Sequence, residues 1–260
     1  MNRNDLPIGV VDSGVGGISV LAALIRQMPE ENYLYYGDSA NAPYGEKTRA
    51  EVLSITRKNL ALLRARGIKA FVIACNTATS AAAGVLRDEN PDFPIIGIEP
   101  AVKPASLVGD FPRVLVMATP LTLAQEKFRI LAARFSDREE VIPLPCPGLV
   151  ELVERGVLCG DELDDRLEKL LAPYRNEKID AVVLGCTHYP HIRSAIAAHL
   201  PCGVPILDGG DGTAKQTRRR LEESGLKRQT PERGTVTILN SSGDPSMTEL
   251  SWKLLKNGGC

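Results

Sequence analysis

Several things are missing from this sequence of 260 residues, and each absence removes a class of function. There is no charge imbalance: 31 Lys and Arg against 32 Asp and Glu leave a formal net charge of −1. The chain therefore has no overall field to draw in nucleic acid or an anionic membrane. No apolar run approaches the roughly 18 residues needed to span a bilayer, and the opening MNRNDLP lacks the apolar core of a secretory signal. These absences predict a cytoplasmic protein with no membrane and no nucleic-acid partner. None of the six cysteines, at 75, 146, 159, 186, 202 and 260, forms a C-x-x-C pair, and in a reducing compartment they are expected to be thiols. The one cationic cluster, Arg218-Arg219-Arg220 with Lys227 and Arg228, is diluted by Glu222 and Glu223 and reads as a solvated helix face.

What is present is a repeat. Ile68 to Ser80, IKAFVIACNTATS, returns 111 positions later as Ile179 to His191, IDAVVLGCTHYPH. Each copy opens on Ile-x-Ala, runs through a branched apolar segment and a small residue, and reaches a cysteine followed by polar residues. The runs Phe71-Val72-Ile73 and Val182-Val183-Leu184 are short and do not alternate, as befits strands buried on both faces. Cys75 and Cys186 are thus predicted at strand carboxyl ends, where open α/β sheets bind ligands. Buried and inert is the usual fate of a free cysteine and is the reading for 146, 159 and 202; Cys260 receives no role.

In chain order, Pro7 to Val11 reads as a strand, Asp12-Ser13-Gly14-Val15-Gly16-Gly17 as a glycine turn, and Ile18 to Met28 as a helix. Helix-opening amides in such a turn favour an anion, a carboxylate or a phosphate. A dinucleotide fingerprint fails here, because its third glycine is replaced by Ser19 and there is no P-loop lysine. A second strand, Tyr33 to Tyr36, precedes the Pro43-Tyr44-Gly45 loop, whose tyrosine is the one placed to meet a ligand. A fourth strand at Pro94 to Ile98 is echoed by Pro205 to Leu207, and the opening strand and turn by Arg113 to Pro120. The last helix, strand and helix, near 213–224, 235–239 and 246–255, are assigned back to the first unit. The prediction is an α/β fold of two similar open-sheet domains related by pseudo-two-fold symmetry, with the active site in the cleft between them. Residues 1–98 with 210–260 form one discontinuous domain carrying Cys75, and 99–209 form the other, carrying Cys186.

Two equivalent halves, each presenting a thiol, suit inversion at a carbon bearing an acidic hydrogen: one base takes the proton and the opposite acid returns another. That is racemisation. A thiol of pKa about 8.5 is only slightly ionised at neutral pH, so the site must stabilise one thiolate while the other sulfur stays protonated. Asn76-Thr77 and Thr187-His188, with exposed helix amides, are placed to do so and to hold carboxylates. His188, two residues from Cys186, is read as assisting catalysis. Cys186, His188 and His191 match no recognised zinc spacing, and no metal is expected. His191 and His199 read as helix packing beside Ile192, Ile196 and Leu200.

The set Asp12-Ser13-Gly14-Val15-Gly16-Gly17, Pro43-Tyr44-Gly45, Ala74-Cys75-Asn76-Thr77-Ala78-Thr79 and Gly185-Cys186-Thr187-His188-Tyr189-Pro190 closely resembles the glutamate racemases of the aspartate/glutamate racemase family, over nearly the whole chain. The resemblance implies L-glutamate to D-glutamate interconversion for peptidoglycan without pyridoxal phosphate, metal or nucleotide, by a homodimer. It implies that Cys75 takes the α-proton from D-glutamate and Cys186 from L-glutamate, with Asp12 and His188 assisting the two sides. Glu154, otherwise a helix-surface charge, matches an additional catalytic carboxylate, with Glu151 an alternative alignment. Substrate contacts implied are Asp12, Ser13, Tyr44, Gly45, Asn76, Thr77, Thr119, Thr187 and His188. Gln125 and Gly209-Gly210 depart from the family pattern, where serine is usual. Two rival readings are a racemase for a related amino acid such as aspartate, and a non-catalytic two-lobed module binding a small anion.

Overall fold

The computed structural model describes residues 3–257; Cys260 lies outside the described residues. The apolar runs form two separate, wholly parallel sheets. In the first, β1 (Ile8–Asp12), β2 (Tyr33–Gly37), β3 (Ala70–Ile73), β4 (Ile95–Gly97) and β9 (Val236–Asn240) lie in the order β4-β3-β1-β2-β9. In the second, β5 (Arg113–Ala118), β6 (Glu140–Pro145), β7 (Ala181–Leu184) and β8 (Ile206–Asp208) lie in the order β6-β5-β7-β8. With β5 matched to β1 and β7 to β3, four strands of each sheet share one order. The sequence repeat is therefore a repeat of topology. β1, β3 and β7 are buried at every residue, which explains why their sequences do not alternate.

Helices cover both sheets. α1 (Ile18–Gln27) buries Ile18, Val20, Leu21 and Leu24. α2 (Arg49–Ala65) starts on a capping box in which Thr48 and Glu51 each accept the other's backbone amide. α3 (Asn76–Glu89) begins immediately after Cys75, which lies two residues beyond the end of β3. α4 (Val102–Ala105), α5 (Pro120–Ala124), α6 (Glu126–Ala133), α7 (Leu149–Glu154), α8 (Asp161–Leu171) and α9 (Arg193–Ala198) belong to the middle of the chain. α10 (Gly210–Glu223) and α11 (Pro245–Asn257) then pack on α1, and β9 joins β2, so the chain returns to the sheet it started from.

Several elements went unread in the sequence, α4 to α6 as well as β6 and α7. β6 carries Pro143 and Pro145 and buries only Leu144, a pattern that fits no interior strand; at the sheet edge, proline is tolerated. α7 has six residues, too few to show a period. The cationic cluster is spent internally, since Arg219 and Arg220 face Glu223, Lys227 meets Glu30 and Arg228 meets Asp5.

Glu139, just before β6, is buried with neither carboxylate oxygen partnered. Burial pushes its pKa up to about 7. Because this folded value lies above that of the unfolded chain, the contribution is most favourable below the unfolded pKa and is lost as pH rises towards and through 7. The melting temperature of Glu139→Gln relative to the parent should therefore climb between about pH 5 and about pH 8. A difference that does not vary with pH would refute this.

Candidate active site

Both repeat cysteines line one cavity of about 210 Å³ between the two sheets' strand ends. Its wall includes Ser13, Pro43, Tyr44, Gly45, Glu46, Cys75, Asn76 and Thr77 from the first half of the chain. Thr119, Pro120, Thr122, Cys146, Pro147, Gly148, Val150, Glu151, Gly185, Cys186, Thr187 and His188 come from the second. Parallel strands produce this convergence directly: β1, β3, β5 and β7 end at the same rim, and Ser13, Cys75, Thr119 and Cys186, one or two residues beyond them, line it.

The Cys75 side is the plainer of the two. Its thiol faces the Ser13 hydroxyl at 3.8 Å, while burial and the nearby Asp12 push its pKa up to about 12, with the Ala78 amide opposing. Tyr44 presents its ring to the cavity because its hydroxyl is tied behind it, donating to Asp38 at 2.6 Å and receiving Asn59 at 3.1 Å.

The Cys186 side is a relay. Cys186 Sγ lies 3.6 Å from His188 Nδ1, and His188 Nε2 lies 2.6 Å from Glu154 Oε1, which also accepts the Val15 amide at 2.7 Å. Burial alone would lower the His188 pKa, but the hydrogen bonds to Cys186 and Glu154 outweigh it and raise the value well above that of an ordinary histidine. Glu154 is held below the usual carboxylate range, its burial overcome by His188 and the Val15 amide. The Asp12–Gly17 turn thus does bind an anion, as its glycines predict, and that anion is the protein's own Glu154.

Asp12 is buried too. It accepts the Gly14 amide at 3.1 Å and, across the cleft, the Thr187 hydroxyl at 3.0 Å. Burial raises its pKa, with His188, Gly14 and Thr187 opposing. Asp12 and Glu154 stand behind the cavity wall, whereas Ser13, Tyr44, Gly45, Asn76, Thr77, Thr119, Thr187 and His188 line it. Of the two aligned glutamates, Glu151 is exposed at the wall and Glu154 is on His188, its side chain only 16% accessible. Of the two alignments left open, it is Glu154 at the end of α7 that meets His188, while Glu151 faces solvent.

His191 faces the Gly16 carbonyl across the cleft at 3.1 Å, and burial lowers its pKa to about 4. It bridges the halves rather than merely packing a helix. His199 faces its own helix, at Ala195. Among the described residues, no group of three or more His, Cys, Asp or Glu is placed to hold a metal.

Several wall residues were not singled out from the sequence as site residues, Thr122 and Cys146 among them. Thr122 forms a hydroxyl cluster with Thr77 at 3.1 Å and Thr119 at 2.9 Å; the T-P-L-T spacing that caps α5 was the available signal. Cys146 adds a third cavity thiol, donating to the Leu144 carbonyl at 3.3 Å. Its position depends on β6, which the sequence concealed.

Comparison with known proteins agrees with this geometry. Residues 8–217 match the family described as Asp/Glu/Hydantoin racemase. The chain is 46% identical to a glutamate racemase of Clostridium botulinum (strain Alaska E43 / Type E3), over 99% of this chain and 100% of that one. The crystal structure of glutamate racemase from Francisella tularensis in complex with D-glutamate superposes with a TM-score of 0.84 at 28% identity, covering 98% of this chain and 95% of that one. Escherichia coli glutamate racemase, in complex with L-glutamate and the activator UDP-MurNAc-ala, gives 0.84 at 31%, covering 98% and 96%. The chain belongs to the Asp/Glu/Hydantoin racemase family, among its glutamate racemases, and is an isomerase.

Proposed function

We propose that this chain interconverts L- and D-glutamate by a two-base mechanism in which Cys75 and Cys186 work from opposite faces of the α-carbon. The observation that carries the reading is that Cys75 and Cys186 line one cavity. From L-glutamate, the Cys186 thiolate takes the α-proton and the Cys75 thiol delivers another to the far face. Cys186 is left as the thiol and Cys75 as the thiolate, which is the state that accepts D-glutamate. His188, cationic beside Cys186, favours the thiolate there; Asp12 assists Cys75. The opening amides of α3, with Ser13, Asn76 and the Thr77, Thr119 and Thr187 hydroxyls, hold the substrate carboxylates and the charge that develops as the proton leaves. Tyr44 and Gly45 close the wall. Since the two thiols give and receive the protons, no cofactor is required. The product, D-glutamate, would supply peptidoglycan, and the working unit would be a cytoplasmic homodimer.

Incubation with either enantiomer in D2O without added cofactor should discharge the optical rotation and place deuterium at the α-carbon. Binding with unchanged rotation would overturn the reading, and faster turnover of aspartate would reassign the substrate.

Glu154 acts through His188 and is a positioning residue. Removing its charge withdraws a buried charged hydrogen bond worth about 1.5–3 kcal/mol, so Glu154→Gln should lower kcat by about 10- to 100-fold. Because Glu154 helps keep the His188 pKa high, the alkaline limb of the pH–rate profile should move to lower pH. A profile that keeps its shape would place Glu154 outside the relay.

A further inference from the structure

The segment that carries Cys186 and His188 cannot supply one of the hydrogen bonds its own turn calls for. After β7 the chain winds through Cys186-Thr187-His188-Tyr189-Pro190-His191, and its carbonyls are met three residues on. The Tyr189 amide donates to the Cys186 carbonyl at 3.2 Å and the His191 amide to the His188 carbonyl at 3.1 Å. Between them, the Thr187 carbonyl would need an amide from position 190, which is proline and has none. The donor comes from the opposite half of the chain: Ser19, on α1, gives its hydroxyl hydrogen to the Thr187 carbonyl at 2.9 Å. Ser19 is the residue that breaks the dinucleotide fingerprint, and the mechanism above gives it no part.

That single hydrogen has two acceptors within reach, because the Gly16 carbonyl also stands 2.9 Å from the Ser19 hydroxyl. A carbonyl oxygen has two lone pairs. At Gly16 the Ser19 amide takes one at 3.1 Å, and His191 Nε2 meets the other, also at 3.1 Å. A ring nitrogen facing a carbonyl must carry the hydrogen, and burial keeps His191 neutral by lowering its pKa to about 4. With Gly16 filled in this way, the Ser19 hydrogen goes to Thr187. The Thr187 hydroxyl in turn donates to Asp12 at 3.0 Å, so the residue between the thiol and its histidine is gripped from the other half at both backbone and side chain. Cys75 needs no such prop: α3 begins directly after it, and the Thr79 amide donates to its carbonyl at 2.8 Å.

We propose that Ser19 is a positioning residue for the Cys186 side, its hydroxyl turned by His191 onto the Thr187 carbonyl so that Cys186 and His188 are set against the substrate from the opposite half. This rests on the reading of Cys186 as the base for L-glutamate.

The single-cysteine enzymes separate the two sides, since α-hydrogen exchange in D2O runs through Cys186 with L-glutamate in Cys75→Ala and through Cys75 with D-glutamate in Cys186→Ala. Added to each, Ser19→Ala should slow the L-glutamate exchange about tenfold and alter the D-glutamate exchange by less than about twofold. Ser19→Thr keeps a hydroxyl, and its methyl has room in the cavity of about 290 Å³ that Ser19 and His191 line; it should restore most of the L-glutamate rate. His191→Phe should slow the same exchange, because the Ser19 hydrogen then turns to Gly16, and the Ser19→Ala, His191→Phe pair should be no slower than its slower member. Circular dichroism checks the fold of each. Equal slowing of both exchanges, an unchanged L-glutamate exchange in folded Ser19→Ala, a Ser19→Thr enzyme as slow as Ser19→Ala, or effects that multiply in the pair would each overturn the proposal. Failure of the underlying reading would show elsewhere, with Cys75→Ala alone still racemising or leaving L-glutamate unexchanged.

Discussion

Replacing either repeat cysteine should abolish racemisation without unfolding the chain: Cys75→Ala and Cys186→Ala are each expected to lower it by about 10³-fold or more. The two variants should also fail differently. In Cys75→Ala the Cys186 side survives, so the α-hydrogen of L-glutamate should exchange with solvent deuterium while the product remains L. In Cys186→Ala the same should hold for D-glutamate. Both sulfurs are buried beside main-chain turns, so truncation to alanine leaves a small void and costs stability modestly. Proton NMR of each enantiomer in D2O, with circular dichroism as the check on fold, reads both halves of this expectation. Racemisation near the parent rate in either variant would remove the two-base mechanism, and exchange of the wrong enantiomer would reverse the assignment of faces.

The second large effect is expected at a residue with no reactive group. A methyl at Gly16 would land on the His188 ring, against Nδ1, the atom that faces Cys186. His188 is held on its other side by Glu154 and is buried, so it can yield only by moving off Cys186. A displacement of about 1 Å at a catalytic group costs on the order of 100-fold, and Gly16→Ala should lose about that much in kcat. Overpacking should take about 1–3 kcal/mol of stability as well. Gly84→Ala, an exposed position inside α3 where an added methyl meets nothing within 4 Å, is the matched control and should gain about 0.5–1 kcal/mol without altering turnover. Steady-state kinetics on the pair decides it: a Gly16→Ala enzyme as fast as its control would mean that His188 is not where its chemistry is needed.

Much of this site could be read before the fold was known, and the reason is periodicity. Strands buried on both faces spell themselves as uninterrupted apolar runs, and a polar residue closing such a run is at the sheet's carboxyl edge. Cys75 and Cys186 were legible in that way, whereas Asp12 and Thr119 took their roles from the family resemblance. The residues behind the wall were less so. Glu154 lies 139 positions from the amide it binds at Val15, and nothing local distinguishes it from Glu151. Its role emerges only when two loops from different halves meet. Cys146 follows an edge strand whose prolines disguise it. Local pattern reveals what a single strand presents; it is silent on what a distant segment brings to the other side.

The outgoing and returning connections lie against one another, for a side chain added at Gly209 would collide with the carbonyl oxygen of Glu99. Any larger residue at that position should pry the two connections apart and, on the two-base proposal, draw the two sulfurs away from a bound amino acid together.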